Sequence, residues 1–68
     1  MSAKFPIGTK FRTRGKHPLD CVVTDILRTF NSRDELVKVR YVAEHLFLGQ
    51  PVKDENVVET TIAMGLLP

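Results

Sequence analysis

The sequence predicts a mainly β, single-domain small barrel of about five short strands, with at most a short helical turn near the C-terminal end. Three observations lead there. The chain has 68 residues, enough for one small domain burying roughly 60% of its unfolded surface. Eight Val, three Ile and six Thr place 17 residues in the β-branched class, whose stiff side chains suit a pleated strand better than a helix. Turn-forming residues also recur at short intervals between apolar runs, as in small sandwiches and barrels.

The turn signals are Pro6-Ile7-Gly8, Gly15-Lys16-His17-Pro18, Asn31-Ser32-Arg33-Asp34 and Gly49-Gln50-Pro51. Between the first two, Thr9, Phe11 and Thr13 alternate with Lys10, Arg12 and Arg14, the pattern of a half-buried strand. The run Cys21 to Phe30 is apolar in both phases at its start and is interrupted by Asp25, which suits a bulge or bend. Leu36 to Val42 alternates again, with Val37, Val39 and Tyr41 opposite Lys38 and Arg40. Ala43 to Leu48 forms a fourth run, and after the last turn an apolar run extends from Val57 to Ile62. Phe11, Val23, Ile26, Val39 and Val57 are the expected core. Residues 1–5 and 64–68 are expected to be frayed ends.

A helix is the rival for residues 33–47. Ser32 and Glu35 have capping-box spacing, and Leu36, Val39, Ala43 and Leu46 follow at helical intervals. Three valines and a tyrosine between 37 and 42 favour the strand, and Asn31 to Asp34 reads as a hairpin turn.

With Phe5-Pro6-Ile7-Gly8-Thr9-Lys10-Phe11 at the start, Val23 and Ile26 in the second run, and Asp54-Glu55-Asn56-Val57-Val58 before the end, the chain resembles Src-homology-3-like (SH3-like) small barrels. That group holds Tudor-type and translation-factor-type modules. The resemblance spans roughly Phe5 to Ile62. It implies a five-stranded barrel, with a turn of helix at the acidic segment before a short closing strand, and it implies no activity.

Composition narrows the function classes. Hydrophobic residues are 43% and charged residues 26%, an ordinary globular balance rather than a disordered one. The longest uncharged stretch, Thr60 to Pro68, is nine residues, well short of the ~20 that cross a bilayer. No apolar signal segment follows the N-terminus. Cys21 is the single cysteine, so no internal disulfide forms, and a reducing cytoplasm is the expected compartment. In its apolar setting it reads as a packed thiol. His17 and His45 lack the paired spacing of a zinc site, and no nucleophile elbow, phosphate loop or glycine-rich fingerprint occurs. A non-enzymatic protein without metal or cofactor is expected.

Charge is the most informative feature. Residues 1–40 carry nine Lys/Arg against four acids, and residues 41–68 carry Lys53 against Glu44, Asp54, Glu55 and Glu59. The net +2 is therefore +5 and −3 in two segments. Five bases and no acid fall within the first sixteen residues. On a strand, Lys10, Arg12 and Arg14 repeat about every 6.6 Å, twice the strand rise, near the roughly 6–7 Å between phosphates of a nucleic-acid strand. Lys16, Lys38 and Arg40 extend the stripe if the third strand lies nearby, and Phe30 and Tyr41 are the aromatics for base stacking. Nucleic acid is thus one expected partner. The other is a larger protein complex or a second copy of the chain, docked through the uncharged Leu66 and Leu67. The same residues also fit a bland role, with Lys and Arg as the polar outer face of a strand.

Overall fold

The computed structural model describes residues 4–67. Strands β1 (Lys10–Arg12), β2 (Asp20–Phe30), β3 (Leu36–Phe47) and β4 (Gln50–Val57) precede a short helix, α1 (Glu59–Met64). The strands form one antiparallel sheet in the order β1-β2-β3-β4. Four strands stand where about five were expected, for two reasons. The runs 36–42 and 43–48 are a single strand, because no Gly, Pro or other turn-forming residue separates Val42 from Ala43. The apolar run Val57–Ile62 is divided between the last residue of β4 and α1. The acidic segment 54–58 expected to turn into helix lies mostly in β4, and the helix begins at Glu59.

The rival helix over 33–47 gives way to strand. A tight loop joins β2 to β3, with Asn31 Oδ1 accepting from the amides of Arg33 (2.8 Å) and Glu35 (3.1 Å). Asp34 takes the left-handed conformation, φ 58°, which Asp tolerates better than most residues. Once the hairpin closes, Val39 and Tyr41 pair with Arg28 and Ile26, a ladder that an isolated helix rich in β-branched residues would lack.

β2 carries the bulge that the interruption at Asp25 suggested. Val23 pairs with Ala43 and Asp25 with Val42, leaving Thr24 as the extra residue. Its hydroxyl donates to the Val42 carbonyl at 3.4 Å. The insertion puts Val23 and Ile26 on the same face, opposite Ala43 and Tyr41, although a spacing of three would send them to opposite faces of a regular strand.

The core lies on that face. Phe11, Cys21, Val23, Tyr41, Ala43, Val57 and Ile62 form it, with Phe5, Leu19, Ile26 and Val39 packed at its margin. Of the five expected core residues, Phe11, Val23 and Val57 are buried, whereas Ile26 and Val39 are only half-buried. A six-residue helix is not stable alone. Fully buried Ile62 fixes it to the sheet, a contribution of about 1.5–3 kcal/mol.

After the helix the chain returns to β1. Leu66 bridges Phe11 antiparallel, flanked by bonds from Arg12 N to Gly65 O (2.8 Å) and from Leu67 N to Lys10 O (3.1 Å). Residues 65–67 are thereby paired with β1. At the other end, the amides of Lys4 and Phe5 donate to the Tyr41 hydroxyl at 2.9 and 3.3 Å. Residues 1–3 and 68 lie outside the described part.

Candidate functional site

The structure divides the expected basic stripe. Lys10 and Arg12 are exposed on β1, pointing away from the core as Phe11 points into it. Across the sheet, Lys10 registers with Val22, Val22 with Glu44, and Glu44 with Lys53. An acid thus stands within the same row as the two lysines. Lys38 and Arg40 pair with Thr29 and Leu27, on the part of β2 and β3 that extends beyond the end of β1. Arg40 is four positions along β3 from Glu44, roughly 13 Å at ~3.3 Å per residue. It is half-buried, and its Nη1 donates to Asn56 Oδ1 at 3.1 Å. Lys10, Arg12, Lys38 and Arg40 thus share the side of the sheet away from the core but stand at opposite ends of β2, and Arg14 and Lys16 lie in the β1–β2 loop, so the six make no continuous stripe.

Two of the β1-side bases also have protein partners. Arg12 Nε donates to Asp20 Oδ1 at 2.6 Å. That hydrogen bond and its charge lower the Asp20 carboxyl below its usual range and raise the guanidinium. Both groups are exposed, so solvent screens the pair and its stabilising effect is small. Arg14 Nε donates to the Met64 carbonyl at the end of α1 at 3.0 Å, a favourable place for a cation.

The stacking candidates separate as well. Tyr41 is completely buried, with its ring edge-on to Phe5 at 6.3 Å and 62°. It presents no face to a base, because bulky β3 side chains on this phase build the core. Phe30 is exposed by 54% at the far end of β2. Leu66 is exposed while Leu67 is half-buried, and the backbone of both is held on β1.

The most prominent unsatisfied surface is elsewhere, at the β3–β4 hairpin. Leu48 and Gly49 form its two-residue turn between the paired Phe47 and Gln50. Both have positive φ, 52° and 78°, as a type I′ turn needs. Leu46, Phe47 and Leu48 are exposed by 70%, 57% and 89%, with Val52 at 39% beside them. Three consecutive bulky apolar residues cannot all face inward on a strand. That signal stood in the sequence at 46–48, at the end of the run Ala43–Leu48. Pro51 in β4 is compatible with an edge strand, which has no ladder partner on its outer side among the described residues.

The β1–β2 loop borders this hairpin. Its base is closed by Thr13 N to Leu19 O at 2.9 Å and by Leu19 N to Thr13 Oγ1 at 2.8 Å. It holds Arg14, Lys16 and His17 and no acid. One groove is lined by Arg12, Pro18, Leu19, Asp20 and Leu46, so loop and hairpin share a concave junction at one end of a molecule measuring 43 × 23 × 20 Å.

Among the described residues, no three His, Cys, Asp or Glu side chains gather as a metal-ligand set, and no helix is long and apolar enough to cross a membrane. The Cys21 thiol is buried, and its pKa is raised by burial, then by Asp20 and Asp54, the reverse of what activates a nucleophile. No protein family, curated protein or solved structure matches the chain.

Proposed function

We propose that this chain is a non-enzymatic binding module that docks on a larger protein through the end bearing the β3–β4 hairpin. The observation that carries the reading is the exposure of Leu46, Phe47 and Leu48 side by side. Apolar side chains gathered at a tip add nothing to the core and expose the chain to aggregation, which makes such a patch the mark of an interface. The fold in this reading is an open form of the SH3-like barrel. Gly65–Leu67 takes the place of the closing strand, supported by the Leu66–Phe11 bridge and its two flanking bonds. The buried, unpaired Cys21 is in keeping with a reducing cytoplasm.

A capture experiment in nuclease-treated lysate tests the docking. The wild-type chain retains a protein partner, and the double variant Leu46→Ser/Phe47→Ser loses it while keeping its fold. Equal capture by both chains contradicts the reading.

Nucleic-acid contact is the second reading, favoured by the acid-free segment with exposed Lys10, Arg14 and Lys16. Its signature is salt dependence. Three to five phosphate contacts give a log–log slope of about −2 to −4, from roughly −0.7 to −0.9 per phosphate. Retention on a nucleic-acid column with that slope, lost on Lys10→Gln/Lys16→Gln, would put this reading first.

A further inference from the structure

We propose that Leu48 is the anchor of the docking end and that the partner presents an apolar pocket rimmed by carboxylates. The inference rests on the protein-docking reading and adds the partner's chemistry.

The first support is conformational. Leu48 holds φ 52° at the turn, a region where a residue with a branched γ-carbon is uncommon and Asn or Gly is usual. The side chain gains nothing from its own fold in return, being 89% exposed. A residue poor for the turn and unused by the core has its use outside the molecule. The turn also holds its backbone rigidly between Phe47 and Gln50, so insertion into a pocket orders little more than one side chain.

The second support is charge complementarity. Pro18 and Leu19 of the β1–β2 loop share the groove with Leu46, and the same loop carries Lys16 and His17, with Arg14 turned to the Met64 carbonyl, and no acid. Of the nearby acids, Asp20 is held by Arg12, and Glu44 stands in the row between Val22 and Lys53. A surface that is apolar at its tip and basic at its flank fits a pocket with carboxylates on one side. A second copy offers Asp54 and Glu55 on β4, but Lys53 stands beside them on the same strand and opposes the loop's bases.

Fluorescence anisotropy with two labelled peptides tests this. One alternates leucine and phenylalanine with aspartate, and the other carries lysine in place of aspartate. The aspartate peptide binds at least tenfold more tightly than the lysine peptide. Leu48→Asn weakens it about tenfold without lowering the melting temperature, and Lys16→Gln weakens it about threefold with a flatter salt dependence. Equal binding of the two peptides, or unchanged binding by Leu48→Asn, overturns the proposal. Amide chemical shifts then separate the two readings. Shifts at 46–52 with either peptide leave hairpin docking intact, whereas binding that leaves 46–52 unshifted overturns both. Failure of both peptides to bind, self-association of the free chain, or tighter binding of a single-stranded oligonucleotide also overturns both.

Discussion

The Tyr41 hydroxyl shows how one atom can organise a small core. It lies on a fully buried side chain and accepts from the amides of Lys4 and Phe5, so it ties the N-terminal segment across the end of the sheet. Tyr41→Phe leaves two amides short of an acceptor and should cost about 1–3 kcal/mol, read as a lower midpoint in chemical denaturation. Leu48 is the opposite case. Replacing it with Asn suits the turn's left-handed backbone and should stabilise the chain by about 1 kcal/mol, or roughly 4–8 °C in a domain of this size. Cys21 has its folded-state pKa raised by burial. The stability linked to the neutral thiol is therefore present below the ordinary thiol pKa and lost as pH rises through the folded value. Alkylation at pH 8 should accordingly be slow in the folded chain and fast once denaturant unfolds it. These residue roles were only partly visible in sequence. The apolar phases identified Phe11, Val23 and Val57, but the amphipathic Tyr41 suited both a core and a stacking role until its neighbours were placed.

At the level of elements, the hairpins determine the outcome. The β2–β3 loop is held by Asn31, whose Oδ1 takes two amides and whose Nδ2 donates to Glu35 Oε1 at 3.3 Å. Asn31→Ala should cost about 0.5–1.5 kcal/mol, measured by thermal unfolding, and should leave the sheet's circular dichroism unchanged. Both hairpin turns and the interruption in β2 were legible because turn chemistry is local. Continuity of β3 through Ala43 was not legible, since a period-2 pattern does not say where a strand ends when no breaker intervenes. The short C-terminal helix, expected at 54–58, lies at 59–64 for a related reason. Its six residues carry weak propensity and no side-chain cap, and it is stabilised by tertiary burial of Ile62. The basic stripe depended on β1 and β3 lying close together, whereas β2 separates them.

Across the whole molecule, the segment after the helix returns to pair with β1. Gly65 approaches so closely that an added Cβ would lie 1.8 Å from the Arg12 carbonyl oxygen. Gly65→Ala should push the return segment off β1 and cost about 1–3 kcal/mol, in the range of overpacking, with loss of amide protection at Arg12 and Leu67. The same end of the sheet holds the acid-free loop and the apolar hairpin, and the central claim is that they act together as one docking surface. Amide hydrogen exchange, compared between the free chain and the chain bound to the protein it captures, tests that claim most directly. The account predicts slowed exchange in residues 13–19 and 46–52 together. Slowing confined to residues 26–40, or none in either segment, would contradict it.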